Sequence, residues 1–298
     1  MSDRPDYYSD IQHHLDELGV RDGMHLIVHS GLRYIGGRAA QPQRLVQSLL
    51  DRLGERGCLL MPTFQNDRPL EEYMASDPLY DPRQTPSQTG GLTQILMTEH
   101  PSRRSYHPWL AVSALGQGMS DYVKEHHLSV KPHDERSPFY KLMQHPQGYI
   151  LLLGVNQRNN ASLYVLESIR YPDYPYKAFL DEPLTMRYLD YEGIEHKMQT
   201  LVPNRRYKPR LGQWGDDLHA QYPEIGRKLI SPLGYEITLL HAATFLEYQT
   251  KALKRGMYHH NPYYAAHEPR WERAVVWVKR RLGIKRRLLP GGDDLKTS

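Results

Sequence analysis

One cysteine, four phenylalanines and four tryptophans are spread over 298 residues, so several residue types that often carry a fold are scarce. A lone Cys58 cannot close an internal disulfide, and it rules out the paired thiolates of metal or redox motifs. The expected compartment is the cytoplasm, where thiols stay reduced. No stretch approaches the ~18 consecutive apolar residues of a membrane span. The polar opening Met1-Ser2-Asp3-Arg4-Pro5 has no signal-peptide pattern. A glycine-rich phosphate loop and a GxSxG nucleophile elbow are both missing, which removes the common nucleotide-hydrolysing and serine-hydrolase readings. Histidines number 16, yet His13-His14, His126-His127 and His259-His260 are adjacent pairs whose side chains diverge. A zinc helix needs its histidines four apart on one face, so no metal site is expected.

Tyrosine, by contrast, occurs 22 times. Its rings must supply area that phenylalanine would otherwise give, and each hydroxyl needs a partner once buried. The net charge of +4 is mild but uneven, with Lys279-Arg280-Arg281 and Lys285-Arg286-Arg287 close to the end, offset in part by Asp293-Asp294. Such a run can meet phosphate, nucleic acid or a membrane surface, but a solvated helix and tail is the commoner outcome. Nucleic acid is therefore not expected as a partner. A chain of this length can bury a full core as one large domain or two small ones.

Hydrophobic spacing predicts helices over 7–18, through Ile11, Leu15 and Leu18, and over 41–53, with Leu45, Val46, Leu49, Leu50 and Leu53 on one face and Gly54 as the stop. Continuous apolar runs predict buried strands at 24–28, 58–61, 110–115 and 149–155. Further helices are expected at 91–99 and near 118–127, and a β-hairpin at 184–201 turning on Glu192-Gly193. Residues 236–253 read as a helix or as a strand followed by one. The acidic, proline- and tyrosine-containing stretch 65–88 is long enough to cover or line a site. Strand–helix–strand order with fully apolar strands implies an α/β fold: a central, mostly parallel sheet flanked by helices, with a smaller part containing the hairpin. Without a repeat or a low-complexity linker, 1–255 reads as one domain. Residues 256–298 read as an appended basic segment with one helix from Pro269, carrying Trp271, Val275, Val278 and Leu282 at helical spacing. A homo-oligomer is compatible with all of this.

An ordered series of motifs spans roughly 15–253. It begins with Leu18-Gly19-Val20-Arg21-Asp22-Gly23 and Ile27-Val28-His29-Ser30-Gly31-Leu32-Arg33, followed by Gly54-Glu55-Arg56-Gly57 leading to Met61-Pro62-Thr63-Phe64. Next come Asp81-Pro82 with Thr85-Pro86-Ser87, and Arg104-Ser105-Tyr106-His107-Pro108. Ser137-Pro138-Phe139-Tyr140-Lys141-Leu142 and Gly154-Val155-Asn156-Gln157, running on to Glu167, complete it. In this order and spacing the series resembles the aminoglycoside 3-N-acetyltransferase (antibiotic N-acetyltransferase) family. The resemblance implies an antibiotic N-acetyltransferase-like fold and an N-acyltransferase. Coenzyme A, as acetyl-CoA, would be the co-substrate, and a small-molecule amine of natural-product or amino-sugar type the acceptor.

Two exchanges limit that implication, Tyr164 for a histidine and Ala161 for a hydroxyl residue. The family carries Thr-Ser-Leu-His-x-x-Glu, with the histidine as base and a carboxylate three residues on along the same helix face. This chain has Ala161-Ser162-Leu163-Tyr164-Val165-Leu166-Glu167. A phenol titrates near 10, so matching an imidazole would need a depression of ~3 pKa units, roughly 4 kcal/mol, from a nearby cation such as Arg158 or Lys141. Glu167 is the remaining motif base, or else a carboxylate paired with Arg170. His107 is a candidate to line the site and to replace the lost imidazole, whereas His29 reads as a structural strand-end histidine. By resemblance Ser30, Gly31, Leu32 and Arg33 lie along the pantetheine arm, with Arg33 meeting a phosphate or a salt bridge. Ser137 and Phe139 belong to a second coenzyme-facing loop, or simply to a turn before a helix. Ser162 would help polarise the thioester. Asp81, with Asp67, Glu71, Glu72 and Asp77, marks an acidic loop that in antibiotic-modifying members holds the amine. Here Arg68 and Arg83 interrupt that loop, which favours a less charged amine. The competing expectation is a catalytically degenerate or repurposed member that binds a ligand or partner without acetyl transfer.

Overall fold

The structure is a computed structural model, described over residues 6–65, 69–175, 177–204 and 211–256. The expected helix from Pro269, the basic tail, and Asp67 and Arg68 lie outside the described residues. The chain runs α1 (Tyr7–Glu17), β1 (His25–Ser30), α2 (Pro42–Leu53), β2 (Cys58–Pro62), α3 (Leu70–Ala75), β3 (Leu79–Tyr80), α4 (Gly91–Glu99), β4 (Arg103–Arg104) and β5 (Val112–Gly116). It continues with α5 (Met119–Val123), α6 (Pro138–Gln144), β6 (Gly148–Leu153), α7 (Val165–Arg170), β7 (Phe179–Leu189), β8 (Glu195–Pro203), α8 (Leu211–Gln221), β9 (Gly226–Ile230), β10 (Glu236–His241) and α9 (Ala242–Lys254).

Seven strands form the central sheet in the order β4-β5-β2-β1-β6-β10-β9. The apolar runs β2, β1 and β6 are its parallel centre, as fully buried strands require. β5 and β10 oppose that direction, and β4 and β9 reverse it again, so five of the seven strands point one way. Alternate side chains feed two cores. Leu26, Val28, Leu59 and Leu151 pack under α1, α2 and α4. Ile27, Leu60, Ile150 and Leu152 pack under α6, α8 and α9 on the other face. The smaller sheet, β3-β7-β8, is built on the expected hairpin and has its own cluster around Tyr80, Met186, Tyr188 and Met198.

Tyrosine does fill interior space with its hydroxyl satisfied. Tyr80 donates to the Ser105 carbonyl at 2.9 Å, and the Tyr122 hydroxyl lies 2.7 Å from His25 Nδ1. Cys58 is fully buried in β2, and burial pushes its thiol up to about 12. The folded protein should therefore ignore an aromatic disulfide reagent until denaturant is added. One equivalent of reaction in native buffer would contradict this burial.

Candidate active site

An open α/β sheet offers its ligand crevice beyond the carboxyl ends of its parallel strands. A cavity of about 740 Å³ lies there. Val28, His29 and Ser30 contribute from the end of β1 and Pro62 from the end of β2, while Arg158, Asn159, Ala161 and Tyr164 follow β6. Gln88, Thr89, Gly90, Gly91 and Thr93, at the entry to α4, close the far wall. The volume is in the range of small-molecule sites.

The β1 loop is held close to the segment after β6. Gly31 donates its N–H to the Leu153 carbonyl at 3.0 Å, and a Cβ on Gly31 would lie 2.6 Å from the Tyr34 ring and 2.8 Å from Val155. Gly154 has φ +68°, and a Cβ there would meet Ile35 at 2.4 Å. The opposite wall depends on Arg104, which sequence reading passed over inside the His-Pro motif. Its buried guanidinium donates to Thr63 Oγ1 at 2.8 Å, to the Thr63 carbonyl at 2.6 Å and to the Thr85 carbonyl. One fork thereby ties the end of β2 to the loop entering α4.

The charged side chains bordering the cavity are two arginines, and no carboxylate borders it among the described residues. Arg33 lies against the neighbouring Tyr34 ring, 4.4 Å from its centroid. The Arg158 guanidinium has no ion pair or hydrogen bond among the described residues. Lys141 is engaged elsewhere, by Glu125 at 2.8 Å and the Asp121 carbonyl at 2.7 Å. Tyr164 is half-buried in the cavity wall, and burial, followed by the Glu167 carboxylate, pushes its phenol upward. The downward shift that a phenolate base would need is thus reversed, and Tyr164 keeps its proton. Glu167 is buried one helical turn behind it and does not border the cavity.

His107 is completely buried away from the cavity lining, and its Nδ1 accepts from the Leu110 N–H at 3.2 Å. Its ring lies 4.7 Å from that of His126. Burial, with repulsion from His126 and His133, holds it well below the usual imidazole range. Ser137 caps α6 by accepting from the Tyr140 N–H at 3.2 Å, and Phe139 lies in the core beneath the cavity. Ser162 is buried, with its Oγ lacking a hydrogen-bond partner among the described residues, and is not part of the lining. Asp81 turns away from the cavity, because both its oxygens accept from Arg83, at 3.0 and 3.1 Å. Asp77 pairs with Arg187 at 2.8 Å. Of the residues singled out from sequence, the structure gathers Ser30, Gly31, Leu32, Arg33 and Tyr164 around one cavity. His29, read from sequence as structural, borders it too. Among the described residues no cluster of three or more His, Cys, Asp or Glu is placed to hold a metal ion. No described helix is long and apolar enough to cross a membrane.

These features define an α/β protein with a ligand cleft at the ends of its parallel strands and a sequence motif running from that cleft into a short helix. The aminoglycoside 3-N-acetyltransferase family model matches residues 27–228, and the chain belongs to that family. It is 32% identical over 159 residues to aminoglycoside N(3)-acetyltransferase IX of Micromonospora chalcea, covering 49% of this chain and 56% of the relative. It is 28% identical over 193 residues to aminoglycoside N(3)-acetyltransferase VII of Streptomyces paromomycinus, covering 60% and 66%. The chain thus matches between 56% and 66% of the length of these curated relatives. Among solved structures, the aminoglycoside acetyltransferase AAC(3)-Xa superposes with a TM-score of 0.70 at 23% identity, covering 85% of this chain and 93% of that one. AAC-IIIb, in its binary structure with CoASH, gives 0.66 at 19% identity, covering 86% and 97%. At these identities the likeness is one of fold.

Proposed function

We propose that the protein transfers an acyl group from coenzyme A to an amine of a small molecule of natural-product or amino-sugar type. The thioester arm would lie in the cavity at the ends of β1, β2 and β6. The observation that carries this is that the cavity stays open although Tyr164 stands in its wall, with two arginines and no bordering carboxylate among the described residues. That charge pattern suits the phosphates of coenzyme A and disfavours a polycationic acceptor. CoASH in AAC-IIIb, a protein of like fold, supports the same reading.

Acyl transfer to an amine needs a donor for the developing oxyanion and an acceptor for the amine proton. Tyr164 supplies the first, because its phenol stays protonated and borders the cavity. Glu167 acts through it, its charge discouraging the phenolate and so keeping the donor proton in place. Tyr164→Phe is expected to lower turnover by about 100-fold, as loss of an oxyanion donor does, with coenzyme A affinity changed by less than about threefold. An unchanged rate would remove the phenol from the mechanism.

The upward push on Tyr164 also favours a second reading, a member that binds without turnover. Titration calorimetry with coenzyme A and acetyl-CoA, plus thiol release across a panel of amines, separates the two. Binding with thiol release supports the transferase, and binding without release from any amine supports the second reading. No binding contradicts both.

A further inference from the structure

We infer that His29 is the proton acceptor for the incoming amine, replacing the imidazole that the family motif would place at position 164. This rests on the acyl-transfer reading. His29 borders the cavity with Tyr164, while Glu167 and His107 do not. Strand alternation in β1 sends Val28 into the core under α1 and α2 and Ile27 into the opposite one. His29 follows Ile27, toward Phe139, whose ring centroid lies 6.4 Å from its own. The Phe139 ring is also 4.9 Å from His133, which in turn lies 5.6 Å from Tyr164. His29, His133 and Tyr164 are thus grouped around one phenylalanine.

A buried histidine kept for packing ordinarily commits its ring to a hydrogen bond. His25 meets the Tyr122 hydroxyl, and His126 meets both Ser105 Oγ, at 2.8 Å, and the Pro132 carbonyl, at 3.1 Å. His29 is only 7% exposed, yet its Nε2 has no partner, and the ring makes no hydrogen bond or ion pair among the described residues. His133 and His107 also have an unpartnered Nε2, but neither borders the cavity. Its Nε2 is sealed from solvent, whereas its Nδ1 is accessible and equally unpartnered among the described residues, so Nδ1 is the nitrogen open to a ligand in the cavity. Burial keeps that ring uncharged at neutral pH with its lone pair unprotonated, and the oxyanion formed in the step supplies the negative charge that lets the ring hold a proton against that burial.

The step balances without any other reactant. The amine nitrogen attacks the thioester carbonyl carbon, and the C–N bond forms as the oxyanion turns toward the Tyr164 hydroxyl. The proton shed by nitrogen moves to His29. Collapse of the intermediate breaks the C–S bond, and the imidazolium returns its proton to the departing thiolate, giving the amide and free coenzyme A.

Two measurements test this, one of them independent of turnover. Diethyl pyrocarbonate, read by peptide mass spectrometry, should modify His29 in the folded protein, and acetyl-CoA should slow that modification at least about tenfold. His29→Ala should cut thiol release by about 100-fold or more while coenzyme A affinity stays within about threefold, matching the loss of a general base. Added imidazole should restore the rate of this variant in a saturable manner and leave the wild type unchanged. His29→Asn, which keeps a polar side chain, should lose the same activity should the alanine variant fold poorly. Wild-type turnover in either variant, no protection by acetyl-CoA, or protection without turnover from any amine would each overturn the assignment. Failure of coenzyme A to bind at all would instead remove the transferase reading on which it stands.

Discussion

Lowering the pH from 8 to 5.5 is expected to remove about 7 kcal/mol of stability and bring the protein to the edge of unfolding. The cause is a set of buried imidazoles that stay neutral in the ligand-free folded protein throughout this pH range. Burial takes His29, His126 and His133 from 6.5 down to about 3 and His25 down to about 4, and His107 falls well below 6.5 for the same reason. None of the five has a carboxylate partner among the described residues. Above pH 6.5 each is neutral in both states and contributes no pH dependence. Below that value the unfolded chain binds a proton that the folded chain refuses, so stability falls with falling pH until the folded values are reached. At pH 5.5 each site costs about 1.4 kcal/mol, against a typical total of roughly 5–15 kcal/mol for a domain. Depressed carboxylates such as Asp16 and Asp121 do not offset this, because they lose their contribution only below the ordinary range near 3.8. Urea titrations at pH 8, 7, 6 and 5.5 should show a slope steepening toward five protons per molecule. A flat profile would mean that these rings are hydrated or paired.

Arg104→Met should cost about 3–5 kcal/mol of stability, lowering the melting temperature by roughly 10 °C, and weaken coenzyme A binding at least about tenfold. The guanidinium is 2% exposed and forms no ion pair among the described residues, so its worth lies in the oxygens it satisfies. Without it, the buried Thr63 hydroxyl and carbonyl and the half-buried Thr85 carbonyl lose this donor. Thr63 precedes Phe64, and Thr85 leads into residues 88–91, all of which line the cavity. The Lys variant should not rescue, because a point charge cannot span three acceptors in one plane. Wild-type melting and binding in Arg104→Lys would show that charge alone suffices.

Much of the central architecture was legible because apolar runs have few alternatives. The strands β1, β2 and β6, the helix α2 ended by Gly54 and the hairpin turning near Glu192-Gly193 all occur where their patterns put them. β9 went unread because its burial alternates weakly along Gly226–Ile230, with arginine and lysine in the middle. α3 was hidden inside a stretch whose composition reads as loop. The direction of β5 could not be read either, since an apolar run has no polarity until its neighbour is known. At the site, the motif singled out Tyr164 and the Ser30–Arg33 loop, and these residues border the cavity. His29 reads as structural in the sequence because strand-end position looks the same for a packed ring and for an orphan one. Only the absence of a hydrogen-bond partner in three dimensions distinguishes them.

A structure of the protein soaked with acetyl-CoA would test the central claim most directly. The expected result is the pantetheine arm between the Ser30–Arg33 loop and residues 88–91, its thioester carbonyl within hydrogen-bond reach of the Tyr164 hydroxyl. Density for acetyl-CoA elsewhere on the molecule, with this cavity filled by protein side chains, would contradict it.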